Sequence, residues 1–264
     1  MAGNQAFEMV QSRGWSGGLR NLLRADFGKW FRTRLWWVQG LIWTGVINGI
    51  LAGVLWSSPE GPDAGTGLML YSIFSAMFPS IAIVIIMQDA IVGEREAGTA
   101  AWVLSKPVSR YAFVISKLLP NLVGVLVCML LFPGVVAYAQ ISVAAGQLLD
   151  PVRFLAAMGI LWIYLSYYLT LTLMLGTLFN HRGPVIGIAL GLAFGQQILF
   201  GLAPFLLKVL PWTIAMPAGD SDNSIVGAVL RGLPLPDMTP LIVTSISIVV
   251  FIAVALWRFE KEEF

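Results

Sequence analysis

Residues 154–179 read FLAAMGILWIYLSYYLTLTLMLGTLF, a run of 26 residues without one acidic, basic or histidine side chain. A helix advances about 1.5 Å per residue, so about 20 apolar residues cross a hydrocarbon core of about 30 Å. The stretch therefore predicts a membrane-spanning helix. Working outward, five further stretches qualify: Trp36–Trp56, Leu68–Gln88, Tyr111–Ile141, Pro184–Leu207 and Pro240–Trp257. The third is long enough for its first turns to lie in the interface. The expected fold is an all-α integral membrane protein with six transmembrane helices in one domain over residues 1–264.

Composition agrees. Of 264 residues, 58% are hydrophobic and only 11% charged, with a mean hydropathy of +0.81. A soluble domain carries charge on about a quarter of its residues, so the polar surface here is too small to cover a water-facing globule. The single cysteine, Cys128, lies in an apolar run and offers neither a disulfide framework nor a thiolate site. The single histidine, His181, cannot build a metal centre alone, and no metal or nucleic-acid partner is expected. Residues Met1–Arg34 mix Glu8, Asp26 and several arginines, which does not fit a cleavable signal peptide.

Lysine and arginine resist translocation. With the N-terminus inside, thirteen fall on that side: Arg13, Arg20, Arg24, Lys29, Arg32, Arg34, Arg95, Lys106, Arg110, Lys117, Arg182, Arg258 and Lys261. Only Arg153, Lys208 and Arg231 fall outside. Both termini are thus expected in the cytoplasm, the chain lying in the cell (inner) membrane. Trp36, Trp37, Trp56 and Trp257 sit at span ends, where amphipathic rings prefer the headgroups.

The span interiors lack the acidic or basic group that ion-coupled transporters keep near mid-membrane. They also lack the nucleophile, base or metal of an intramembrane hydrolase. No phosphate-binding G-x-x-x-x-G-K-[ST] loop occurs, so an ATP-driven engine would be a separate polypeptide.

Two segments outside the spans could meet such an engine. In Trp15–Leu35, residues Leu19, Leu22, Leu23, Phe27, Trp30 and Phe31 recur at helical spacing, while Arg20, Arg24, Lys29 and Arg32 mostly take the other arc. This predicts an amphipathic helix in the headgroup plane, acting as a membrane anchor, a partner-binding element or both. The second segment follows the second span and occupies residues 89–110. Gly98 can end one short helical piece, Thr99 can cap the next, Pro107 stops it, and Ser109 can cap the third span. It reads as a folded elbow or as an ordinary charged loop.

GEREAGTAAWVLSKPVSR, residues 93–110, resembles the signature of ABC-2 type permeases at Glu94, Glu96, Gly98, Thr99, Leu104, Pro107, Val108, Ser109 and Arg110, with Lys117 as the following basic residue. The sequence departs from the pattern at Ala100, Ala101 and Trp102. The resemblance implies a membrane-spanning subunit that pairs with a second permease copy and sits on cytosolic ATPase subunits. ATP and Mg would be held by those subunits, this chain binding no cofactor and not being an enzyme itself. The implied activity is export of a small hydrophobic or amphipathic compound such as a drug, antibiotic or lipid-like molecule. It further implies that Glu94, Arg95 and Glu96 contact the ATPase, Arg110 closing the same motif, and that Gly98, Thr99 and Pro107 shape the elbow. A non-transporting membrane scaffold or sensor holding a cytosolic protein is the alternative.

Gly45, Gly49 and Gly53 in the first span, and Gly187, Gly191 and Gly195 in the fifth, recur every fourth residue and form small faces for helix packing or dimer contact. Residues 208–239 hold two apolar runs too short to span, Val209–Met216 and Ile225–Leu233, which read as shallow re-entrant or interfacial helices or as a plain outer loop, the resemblance implying short outer helices. Asn48, Ser80 and Gln196 are candidates for lining a substrate pathway, although polar residues in spans also serve as interhelical hydrogen-bond partners.

Overall fold

A computed structural model describes residues 14–57, 61, 63–217 and 223–262, so Arg13 of the cation count falls outside the described residues. The described residues are helical, without a strand. The helices are α1 Leu19–Phe31, α2 Leu35–Ser57, α3 Ala64–Glu96, α4 Thr99–Leu104, α5 Arg110–Ala144, α6 Pro151–Leu178, α7 Arg182–Leu202, α8 Trp212–Ala215, α9 Ile225–Arg231 and α10 Thr239–Glu260. Among the described residues, α2, α3, α5, α6 and α10 are long and apolar enough to cross a membrane. The fifth expected span, Pro184–Leu207, falls on α7, which has 21 residues, and on a 3-10 turn at Pro204–Lys208. Proline at 204 biases Ala203 away from helical backbone, and Ala203 leaves the helix at φ −144° and ψ 86°.

α6 is the axis of the bundle. The apolar window of α6 is 67% buried against 17% for α10, so α6 is wrapped by neighbours while α10 shows most of its surface outward. α3, α5, α7, α9 and α10 all pack on α6. Sequence patterning could not rank the spans in this way, because helices apolar all round carry no stripe.

In α5 the proline at 133 is accommodated locally. Proline removes an N–H and crowds the carbonyl four residues back. Ahead of Pro133, α5 widens into a π turn at Leu126–Leu131, and Asn48 Nδ2 of α2 donates to the Pro133 carbonyl at 3.1 Å. α3 contains a second π turn, Asp89–Gly93, where it leaves the apolar stretch.

α1 does not rest on the bundle by an apolar face alone. Its buried residues are Asp26 and Trp30, which with Leu22 form a stripe at four-residue spacing against α5. Asp26 meets Lys117 and Trp30 meets Asn121, a constant offset of 91 residues, so α1 runs parallel to the first turns of α5. The indole of Trp30 covers Gly124, where an added Cβ would lie 2.5 Å from the ring. The expectation of a helix with only apolar residues turned inward is corrected here: Phe31 is exposed, and an acid takes the inner face because a lysine waits there. Arg20, Arg24, Lys29 and Arg32 remain exposed.

At the opposite end, the short helices α8 and α9 are tucked in. Trp212, Ile214, Ala215, Ile225, Val226 and Leu230 are buried, and the Ser72 hydroxyl of α3 donates to the Ala215 carbonyl at 2.8 Å.

Candidate coupling site at the charged end of the bundle

The residues singled out in the 89–110 segment come together in one clasp. α3 runs on through Glu94–Glu96 and stops where Gly98 adopts φ +69°, a left-handed backbone that favours glycine. α4 then turns back. The Thr99 hydroxyl donates to the Glu94 carbonyl at 3.0 Å and thereby holds the reversal instead of capping through its side chain. Pro107 centres a tight turn in which Val108 N–H donates to the Lys106 carbonyl at 2.6 Å. The Ser109 hydroxyl caps α5 by accepting from Ala112 N–H at 3.0 Å, and its own N–H donates to the Gly17 carbonyl at 3.0 Å. The elbow is therefore a folded element and not a slack loop.

Glu94, Arg95 and Glu96 have partners within the chain, whereas Lys106 is turned outward. Glu94 accepts from Lys117 at 2.5 Å and from Lys29 at 3.2 Å. Lys117, only 6% exposed, also reaches both oxygens of Asp26 at 3.2 Å, and Lys29 meets Asp26 at 2.9 Å. Two carboxylates and two ammonium groups thus join α1, α3 and α5. Burial works against the charged form of Lys29, but the carboxylates of Asp26 and Glu94 outweigh it and hold its ammonium above the usual 10.5.

Arg95 turns the other way. One guanidinium nitrogen donates to the carbonyls of Gly176 (3.2 Å) and Phe179 (3.1 Å) at the C-terminal end of α6, and the other meets Glu262 at 2.7 Å. A cation is favourable there, because the last carbonyls of a helix lack intrahelical donors and carry the negative end of its dipole. Glu96 is exposed and accepts from Arg182 Nε at 2.8 Å, while the same guanidinium meets Asp89 at 3.0 Å. Arg110 donates to the Glu260 carbonyl at the end of α10, Tyr111 meets the Glu260 carboxylate, and Phe113 stacks on Phe259 at 5.2 Å. One short segment is tied in this way to α1, α5, α6, α7 and α10.

The resemblance implies ATPase contacts for Glu94, Arg95 and Glu96; within the chain each of them also has a partner, Glu96 remaining exposed. The elbow exposes Glu96, Ala97, Gly98 and Thr99 as well as Ala101, Trp102, Ser105, Lys106 and Pro107, Trp102 being 65% exposed with the Lys106 ammonium 4.2 Å from its ring centroid. The participants that sequence reading missed are Asp26, Asn121, Gly124, Glu260 and Glu262. Asp26 alone carried a signal, as the one acid among the cations of α1, in register with Leu22 and Trp30.

The remaining candidates lie elsewhere. Asn48, Ser80 and Gln196 are buried and bonded within the chain. Ser80 donates to the Met77 carbonyl, and Gln196 joins the Tyr168 hydroxyl (2.8 Å) to Trp212 N–H (3.1 Å), which pins α8 to α6 and α7. The glycines at 45, 49, 53, 187, 191 and 195 have open space where a Cβ would stand, so neither face is filled from within the chain.

A search of curated proteins finds no match to this chain. The family model described as ABC-2 family transporter protein matches residues 4–264, nearly the whole chain, so this all-helical, multi-pass protein belongs to the ABC-2 transporter family and is a permease subunit, the transport component and not itself catalytic.

Proposed function

We propose that the chain is one half of an ATP-driven exporter, with six spans, both termini in the cytoplasm of a cell whose inner membrane it crosses, and a separate ATPase subunit seated on the elbow at residues 89–110. Permeases of this family typically work with such a subunit. The observation that carries the reading is the clasp itself. A push on α4 is passed by Glu94 to α1 and α5, by Arg95 to α6, and by Glu96 to α7. In this reading Glu94, Arg95 and Glu96 transmit force, and the exposed Ala101, Ser105 and Lys106 meet the ATPase. α7, 21 residues long, serves as the sixth span, since about 20 helical residues suffice. The open glycine faces of α2 and α7 suit a contact with a second permease copy. The cargo is a small hydrophobic or amphipathic compound.

The test is a gentle-detergent purification of the tagged protein, followed by reconstitution with the ATPase that accompanies it. The expected result is a stoichiometric ATPase. Replacing Glu94 and Glu96 together by alanine should lower transport at least tenfold while membrane insertion persists. A chain that purifies without any ATPase in several detergents and in nanodiscs, or transport untouched by the double substitution, overturns the reading.

A further inference from the structure

The outward side of α4 sets a projecting ring beside a recess. Trp102 stands out from the elbow, 65% exposed, with the Lys106 ammonium 4.2 Å from its ring centroid. Next to it, Ala101, Leu104, Ser105 and Val108 line a half-open recess of about 240 Å³, and Arg110 closes the edge. Positions 101, 104, 105 and 108 follow helical spacing, so the recess runs along one side of α4 into the turn after it. Sites for drug-sized ligands occupy about 300–1,000 Å³. This smaller recess suits a side chain of another polypeptide better than a free ligand.

Both features are backed from inside the chain. Ala100 is buried and Val103 and Leu104 pack on the core, which fixes the inner side of α4. The Ser105 hydroxyl donates to the Trp102 carbonyl at 2.8 Å. Val108 lies against Gly18, where an added Cβ would stand 2.8 Å from Val108 Cγ2 and where φ is +76°. A backbone already held in place loses little freedom when a partner arrives.

Charge indicates what that partner brings. Lys29, Arg95, Lys117 and Arg182 all meet carboxylates of the chain. Among the described residues, Lys106 and Arg110 meet none. Lys106 lies over Trp102, and Arg110 donates to the Glu260 carbonyl while the Glu260 carboxylate bonds to Tyr111. One cation over the ring and one at the recess edge thus lack counter-ions. The ammonium over the ring also makes Trp102 a poor seat for a second cation. Exposed tryptophan and arginine are the side chains that most often carry the energy of a protein interface, and the guanidinium fork matches a carboxylate.

We propose that Trp102 is the anchor by which the ATPase subunit holds the elbow, its ring entering an apolar cleft of that subunit, and that a carboxylate of the same subunit enters the recess to meet Arg110 and Lys106. This rests on the exporter reading above and supplies the chemistry of its contact.

The experiment titrates the co-purified ATPase onto the permease in nanodiscs and compares Kd for the native chain and its variants. Trp102→Ala should raise Kd on the order of thirtyfold, and Trp102→Phe should recover most of the loss. Lys106→Glu should raise Kd roughly tenfold at low salt, with slower association, and much less at high salt. Membrane insertion and the unfolding midpoint should stay unmoved in all three, because both side chains are exposed. Trp102→benzoylphenylalanine, irradiated in cells, should give an adduct with the ATPase subunit. An ATPase that still co-purifies but binds the Trp102→Ala chain as tightly as the native one, or binds the Lys106→Glu chain more tightly, overturns the proposal and leaves the exporter reading standing. Adducts with lipid alone would place the ring among the headgroups and overturn it independently. Absence of any co-purifying ATPase is the separate failure of the exporter reading, and this proposal falls with it.

Discussion

Lys117 is the residue on which the charged end turns. A buried ammonium is tolerated only when paired and hydrogen-bonded, and Lys117 has Asp26 on one side and Glu94 on the other. Removing one partner of a buried pair costs about 3–5 kcal/mol, because the remaining charge stays in a poor medium. Lys117→Met should therefore lower the unfolding midpoint in detergent far more than Lys29→Met, whose exposed group contributes under about 1 kcal/mol. The pH dependence carries the same sign. A lysine held above 10.5 contributes fully below that value, and the contribution fades as pH rises through the raised one. Through Lys29 the midpoint of the native chain should accordingly not change with pH near neutrality and should fall only in strong alkali. Equal loss in both variants would show that Lys117 is not the centre of the network.

At the scale of elements, the informative contrast is between glycines that are filled and glycines that are not. Gly124 is covered by Trp30 and Gly40 by Phe132, so these two make close helix contacts inside the chain. Gly45, Gly49, Gly53, Gly187, Gly191 and Gly195 share the same sequence character and have nothing near them. A leucine at Gly191 should leave the monomer folded and weaken association between copies, read as a shift toward monomer by cross-linking or single-molecule counting in nanodiscs. Intact pairs would remove α7 from the contact. Sequence spacing marked these helices as small-faced, but spacing cannot distinguish a face turned inward from one turned outward. That depends on which neighbours the fold supplies.

For the whole molecule, the separation of charge is the main fact. Lys29, Arg95, Arg110, Lys117 and Arg182 gather around the elbow, while Arg153 lies against Gly232 at the other end. A chain so divided should insert with the elbow in the cytoplasm. The native Cys128 is fully buried, so introduced cysteines report cleanly. Gln147→Cys, in the exposed turn between α5 and α6, should react with an impermeant thiol reagent from outside intact cells, and Ala97→Cys should react only after the membrane is opened. Reversed labelling would invert the topology.

The sequence by itself determined the solvent, the positions of the apolar helices and the outline of the elbow. Each of these follows from runs of side chains or from single residues acting locally: uncharged stretches of about 20 residues, glycine at a left-handed turn, proline ending α4, serine capping α5. Tertiary structure alone decided that α6 is the axis, that α1 lies along α5, and that Glu94, Arg95 and Glu96 are spent on Lys117, α6 and Arg182. The physical reason is range. Hydropathy and caps act within a few residues of chain, whereas Asp26 finds Lys117 across 91 residues and Arg95 finds Glu262 across 167, and nothing in the spacing of charges records such distances.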